Sequence, residues 1–139
     1  MAVFYRLQQK NDRNCRQTFG KWYARAVHME TVETNELAMM MQQNCTLKRS
    51  DIVAVISELV DTMTREMQNG KRIRLDGLGT FKIGLTSEGV SDPKDFKPER
   101  HVKGTHVLFY PETHVMRDGQ RLRALLTGTK AQELPVQKR

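Results

Sequence analysis

The most regular hydrophobic spacing in the chain lies in residues 47–83, LKRSDIVAVISELVDTMTREMQNGKRIRLDGLGTFKI. Its apolar positions recur at intervals of three or four residues, which is the period of one face of an α-helix. The stripe comprises Ile52, Ile56, Leu59, Met63 and Met67, widened by Val53, Val55 and Val60. Asn69-Gly70 is expected to end the helix, because glycine tolerates a left-handed C-terminal residue. The pattern predicts a helix of about 20 residues, roughly 30 Å long. So wide a stripe favours a second chain packed against it.

The spacing changes after Gly70. Residues 71–75 alternate basic and apolar side chains, which predicts a strand with one inward face and one positively charged outward face. Gly77-Leu78-Gly79 then turns the chain into a second strand at 80–83. The two glycines do not form a dinucleotide-binding loop, because Lys82 stands where a third glycine is required and no helix follows.

Two shorter patterns precede the long helix. Residues 3–9 and 21–27 alternate as strands and form an N-terminal β extension over 1–30. Aromatic and basic side chains interleave in 21–27, as they do on surfaces that bind single-stranded nucleic acid; an ordinary half-buried hairpin has the same pattern. Thr34 is a suitable N-cap for a helix over 35–44, which the corner Cys45-Thr46 joins to the long helix as a helical hairpin.

Charge restricts the partners that the chain can have. The formal net charge is +7, with 23 Lys and Arg against 16 Asp and Glu. Residues 29–60 are acidic, whereas residues 1–28 and 61–139 are basic. This distribution favours a polyanionic partner for the strands and the C-terminal part.

Other function classes find no support in the sequence. Cys15 and Cys45 lack the spacing of a disulfide framework and are expected to be reduced. The four histidines show no metal-ligand spacing, and no Ser or Cys lies in a nucleophile motif. No signal peptide and no bilayer-spanning run is recognised. We therefore expect a non-enzymatic cytoplasmic protein with no metal, cofactor, membrane or small-molecule substrate.

The long helix, Asn69-Gly70, the basic strand and Gly77-Leu78-Gly79-Thr80-Phe81 together resemble the bacterial histone-like proteins HU and integration host factor. The resemblance runs without a gap from Thr34 to Ile83 and more loosely to Leu126. It implies an α+β fold: a helical-hairpin body, an antiparallel β-sheet saddle and a protruding β-arm over 82–108, in an intertwined dimer. The DNA-binding domain would cover 31–126, ending in a short helix at 114–126, and 127–139 would be a flexible tail.

The arm departs from the family pattern. In the family the arm lies in the minor groove and inserts a proline between base pairs, which unstacks a step and bends the duplex. Pro93 is nearest the expected position, with Pro98 as the other candidate. The outgoing segment 84–88 lacks arginine, and the basic residues follow on the returning side. Residues 91–93 also suit a helix start with proline at its first position, so the tip is expected to be either a ribbon end or a short helix.

The main hypothesis is a histone-like, nucleoid-associated protein that binds duplex DNA as a homodimer with little sequence specificity, mainly through the phosphate backbone and the minor groove. The predicted contacts lie on the saddle, the arm and the last helix: Arg72, Arg74, Lys82, Pro93, Lys97, Arg100, Lys103, Arg117 and Arg121. The alternative is a dimeric protein-interaction or scaffold module that keeps the HU-like body with a degenerate DNA arm.

Overall fold

The computed structural model describes residues 2–11 and 17–135, and the chain divides into two compact units. The terminal unit consists of residues 1–33 and 128–139, and the central unit is Thr34–Thr127. The mixture of helices and sheets confirms the predicted α+β class. Cys45 is an exposed free thiol, whereas the expectation for Cys15 lies outside the described residues.

The terminal unit contains a three-stranded sheet. Strands β1 (Ala2–Gln9) and β2 (Trp22–Ala26) pair antiparallel, which confirms the predicted hairpin. A third strand, Lys130–Glu133, pairs in parallel with the other edge of β1. The prediction of a flexible tail over 127–139 is therefore wrong for this segment, because its backbone completes a sheet with residues more than a hundred positions away in sequence.

The central unit begins with the predicted helical hairpin, α1 (Thr34–Gln42) and α2 (Arg49–Gln68). The side chain of Gln42 accepts a hydrogen bond from the Arg49 backbone N at 2.7 Å, and so joins the two helix ends. Asp51 accepts from the Lys48 backbone N at 3.3 Å, which satisfies one amide at the start of α2. The predicted stop is also confirmed, since Gly70 has φ 78° and its N–H bonds to the Met67 carbonyl at 3.0 Å.

Three antiparallel strands follow: β3 (Ile73–Leu75), β4 (Gly79–Ser87) and β5 (Val102–Pro111), in the order β3-β4-β5. The sharp turn into β4 requires glycine at two positions. Gly77 has φ 79°, and a Cβ on Gly79 would lie 2.2 Å from the Tyr110 carbonyl oxygen. Both strands of the predicted arm are present, and β4 continues four residues beyond its predicted end at Ile83.

The connection between β4 and β5 has two short helical turns. A 3-10 turn covers Pro93–Asp95, and helix α3 covers Pro98–His101. Asp92 caps the first turn by accepting from the Lys94 backbone N at 2.9 Å, with Pro93 at the first helical position. The expectation of a short helix beginning near residue 93 is thus confirmed.

The last part of the central unit differs from the prediction. Strands β6 (Thr113–Val115) and β7 (Arg121–Arg123) form a hairpin where the sequence predicts a helix over 114–126. The segment Asp118-Gly119 explains the difference: Gly119 has φ 82°, and Asp118 accepts from the Gln120 backbone N at 3.0 Å. Asp-Gly is a strong hairpin turn signal and a poor helix interior. We label the strand at Lys130–Glu133 β8.

The central unit buries little by itself. Among the described residues, only Ala38 and Ile52 are buried hydrophobic side chains. On the stripe of α2, Ile52 is buried and four further positions are half-buried, but Val55, Leu59 and Val60 are exposed, Val55 to 59% and Val60 to 56%. A chain that leaves so much of a 20-residue helix uncovered has an apolar surface large enough to bind a partner.

Candidate nucleic-acid interface

The three-stranded sheet of the central unit has an apolar face and a polar face. Register pairs Phe81 with Ile73 on one side and with Phe109 on the other, so these side chains share the apolar face. The two phenylalanine rings stack with centroids 4.7 Å apart. The residues next to these in sequence point to the other face of the sheet, where Arg74 pairs with Thr80 across the two strands. We call this second face, with Arg74, Thr80, Lys82, His106, Leu108 and Tyr110, the polar sheet face; Leu108 is its apolar member.

Arg74 is held in place on the polar sheet face by acidic neighbours. Its guanidinium lies 2.6 Å from the Glu112 carboxylate and 3.4 Å from that of Asp76. Glu112 is only 13% exposed and also accepts from the Gly77 backbone N. That backbone hydrogen bond, followed by the one from Arg74, lowers the pKa of Glu112, and Glu112 in turn raises the pKa of Arg74. Arg74 is therefore positioned and partly neutralised before any ligand binds.

Lys82 and its neighbours form the open part of the polar sheet face. The Lys82 ammonium lies 5.2 Å from the centroid of the Tyr110 ring, within the range of a cation–π interaction. Farther along the ribbon, the His106 ring lies across Gly84, where a Cβ would come within 2.7 Å of it. Thr86 approaches His106 Nδ1 at 3.3 Å. Lys82 makes no ion pair with a described residue, so its charge is available to an anion.

The far end of the β4–β5 ribbon holds four of the predicted contacts. Pro93 is exposed in the 3-10 turn, Lys97 precedes α3, and Arg100 lies within it. Strands β4 and β5 pair without interruption as far as Thr86, where a bulge shifts the register. Lys103 is the residue of β5 that the bulge leaves unpaired. The Lys103 ammonium lies 3.1 Å from the Glu88 carboxylate.

Acidic residues balance the charge of this tip. Residues 88–103 contain four basic residues and four acidic ones, Glu88, Asp92, Asp95 and Glu99. The region of the polar sheet face is more basic in sequence, because residues 71–87 contain four basic residues and one acid. Glu66 and Glu112, which pair with Lys71 and Arg74, reduce this excess to one positive charge. The electrostatic attraction for phosphate is therefore only slightly stronger at the sheet than at the tip.

The remaining predicted contacts lie elsewhere in the central unit. Arg72 is exposed immediately before β3, two positions from Arg74. Arg117 is in the turn between β6 and β7, and Arg121 is on β7. The structure thus brings Arg74 and Lys82 together on one face and puts the last two on a hairpin, whereas the sequence predicted a helix for them.

Sequence reasoning missed two residues of this interface, Glu112 and Tyr110. Glu112 is separated from Arg74 by 38 positions, and a lone acid after Pro111 shows no pattern. Tyr110 belonged to the predicted strand, but its approach to Lys82 depends on the register between β4 and β5. Periodicity could have assigned both to a strand end, without identifying their partners.

Metal and membrane features are absent from the described part of the chain. No group of three or more His, Cys, Asp or Glu side chains in residues 2–11 and 17–135 is arranged to hold a metal ion. Within the same residues, no helix has the length and apolarity needed to cross a bilayer.

Comparison with known proteins identifies the family. The family model HU-HIG, described as an HU domain fused to a wHTH, Ig or glycine-rich motif, matches residues 1–125. A crystal structure of a candidate bacterial DNA-binding protein from Bacteroides vulgatus ATCC 8482 has a similar fold, with a TM-score of 0.61 at 12% sequence identity. The similarity covers 96% of this chain and 48% of that one, so the chain spans about half the length of its structural neighbour. No curated protein matches significantly. The chain belongs to the HU-HIG family of HU-like proteins.

Proposed function

We propose that this protein is a non-enzymatic, histone-like architectural protein that binds duplex DNA with little sequence specificity. The observation that carries the proposal is the strand register, which puts Arg74 and Lys82 on one face of the sheet, with Leu108 beside them, and Ile73, Phe81 and Phe109 on the other face. Family membership and the DNA-binding description of the structural neighbour support it. Such a protein would act in the cytoplasm, associated with the nucleoid.

The proposed binding uses charge more than base recognition. Lys and Arg side chains contact phosphates and release counterions, which supplies affinity that depends on salt and little on sequence. Lys82, Arg72 and Arg74 would contact the backbone at the sheet, and Arg117 and Arg121 would add contacts from the hairpin. A minor-groove position of the ribbon would read only a degenerate code. Pro93, exposed at the tip, would be the wedge if the duplex is bent.

The functional unit is proposed to be a homodimer. The exposed part of the stripe on α2, Val55, Leu59 and Val60, needs an apolar partner, and a second copy provides the same surface. Two copies would also double the number of basic sheet faces available to one duplex, which raises affinity without a new kind of contact.

A salt titration tests the DNA-binding proposal. For the wild type and a fluorescent random duplex, log K should fall linearly with log salt, by about 0.9 per phosphate neutralised. The double variant R72Q/K82Q should bind DNA more weakly and with a shallower salt slope. In a dimer, the slope should decrease by about 2 if each copy loses one phosphate contact, and by about 4 if each copy loses two. K48Q, at the start of α2, is the matched control and should retain the wild-type slope. A salt-independent affinity, or an unchanged slope in R72Q/K82Q, would contradict the proposal.

One observation favours the alternative function of a protein-interaction or scaffold module. The tip has balanced charge, and the ribbon exposes Leu85 to 66% and Val107 to 62%. Apolar side chains that are this exposed to solvent suit a protein partner better than a phosphate backbone. If excess random duplex gives no mobility shift at low salt while the protein retains a stable protein partner in a pull-down, the scaffold function replaces the DNA-binding one.

A further inference from the structure

The hairpin of the terminal unit has its basic side chains on one face, which also carries Phe4. Arg6 lies directly opposite Arg25 in the register of β1 and β2. The same register continues to Lys10, whose backbone N donates to the Lys21 carbonyl at 3.0 Å. Directly opposite residues share a face, as do positions two apart on one strand. These four cations therefore lie on one face in two opposed pairs, with Tyr23 between them.

The other face of the same hairpin is apolar. It carries the odd-numbered positions of β1 and the even-numbered positions of β2: Val3, Tyr5, Leu7, Gln9, Trp22, Ala24 and Ala26. No basic residue of either strand is among them. We call the opposite face, with Arg6, Lys10, Lys21, Tyr23 and Arg25, the basic face of the terminal sheet.

The opposed cations need an explanation, because like charges directly across a strand pair are destabilising. None of Arg6, Lys10, Lys21 and Arg25 makes an ion pair with a residue that the structure describes. All four are exposed. Two pairs of cations that no described acid compensates form a linear array of positive charge along the strands, and a linear polyanion is the ligand that complements it.

The aromatic residue within the array indicates which kind of polyanion. The Tyr23 side chain is 40% exposed between the two pairs of cations. It lines an open groove of about 690 Å³ together with Gln8, Lys10, Asn11 and Arg25; Gln9, Thr18 and Ala24 complete the lining. An accessible aromatic ring stacks on an unpaired base, and amides bond to base edges, whereas a duplex hides its base faces. A groove with cations, amides and an open ring is suited to a single strand.

We propose that the basic face of the terminal sheet is a second nucleic-acid site, which binds single-stranded DNA or RNA. Arg6 and Arg25 contact phosphates, and Tyr23 stacks on a base. The site belongs to the terminal unit and uses none of the residues proposed to contact duplex DNA, so it does not depend on that function.

Binding of single strands by the full-length protein tests the proposal. Fluorescent oligo(dT), oligo(U) and a duplex of equal length are titrated in parallel. Y23L should bind the preferred single strand at least about fivefold more weakly, the lower limit for loss of one stacked base. R6Q/R25Q should bind it more weakly with a salt slope shallower by about 1.4, since each phosphate contact to a single strand contributes about 0.7. Because R6Q/R25Q removes a repulsive pair, it should fold at least as stably as the wild type.

Trp22 supplies the matched control. It is the aromatic neighbour of Tyr23 on the same strand but on the opposite face, so W22L should retain the single-strand affinity of the wild type. All three variants should retain duplex affinity, whereas R72Q/K82Q should retain single-strand affinity. The proposal is overturned if the wild type binds neither single strand, if R6Q/R25Q and Y23L bind as the wild type does, or if W22L loses as much affinity as Y23L. None of these outcomes depends on whether the duplex titration succeeds.

Discussion

Glu112 is the residue on which the local order of the polar sheet face depends. Its carboxylate connects the start of β6 to the turn before β4 through Gly77, and to β3 through Arg74. A second carboxylate, Glu66, pairs with Lys71 and links the end of α2 to the segment before β3. The hydrogen bonds to Glu112 and Glu66 form with the ionised carboxylates, so the local structure depends on the charge of these two acids.

The lowered pKa of Glu112 predicts how stability changes with pH. Because the folded protein holds this pKa below its ordinary value of 4.5, the ionised form stabilises the fold at neutral pH. The contribution is lost as the pH falls from that ordinary value through the lower pKa of the folded state. Glu66 acts in the same direction, through Lys71. E112Q should therefore have a lower thermal midpoint at pH 7 and a smaller further loss on acidification to pH 3.

Thermal melts by circular dichroism at several pH values measure this effect. E99Q is the control, because Glu99 is exposed in α3 and makes no ion pair with a described residue. It should melt as the wild type does at pH 7. An E112Q protein with the wild-type midpoint at pH 7 would show that the carboxylate does not organise the turn.

At the scale of elements, the turn into β4 is the most constrained point of the sheet. Gly79 has φ 151°, and its missing Cβ leaves room for the Tyr110 carbonyl oxygen of the adjacent strand. G79A should therefore destabilise the protein by about 2 kcal/mol or more, the usual range for a residue forced into strained backbone. Urea unfolding measures the change. G89A is the control, because nothing lies within 4 Å of a Cβ there, and equal midpoints for the two variants would contradict the close packing.

The elements that the sequence predicts are those specified by neighbouring residues. The apolar period of α2, the stop at Gly70, the alternation in 71–75 and the strand after Gly79 are local signals, and the structure has a helix, a stop and two strands there. The hairpin of β6 and β7 was missed because the helix at 114–126 was carried over from the family resemblance, whereas the local Asp118-Gly119 turn specifies a hairpin. The interface was predicted less completely, because the Arg74–Glu112 and Lys82–Tyr110 contacts depend on strand register.

For the whole molecule, the exposed stripe on α2 predicts a dimer that a single charge disrupts. V55D places a carboxylate at an apolar position that is 59% exposed in the single chain. A second copy packed on α2 would bury this charge at a cost of several kcal/mol. Sedimentation equilibrium should show a shift from dimer to monomer. A54D is the control. Ala54 lies on the same side of α2 as Asp61, away from the apolar stripe, so this variant adds the same charge and should remain dimeric. A wild-type protein that sediments as a monomer would refute the dimer directly.

The parallel pairing of β1 with β8 makes the central unit an insertion between two parts of one sheet. Since β8 follows the other strands of its sheet in the chain, the terminal sheet stays incomplete during translation until residues 130–133 have left the ribosome, whereas the helical hairpin of residues 34–68 can form early. Until then one edge of β1 has free amides and carbonyls, which is the kind of edge that pairs with foreign strands. Nascent chains stalled before residue 130 should therefore be the ones that chaperones must protect.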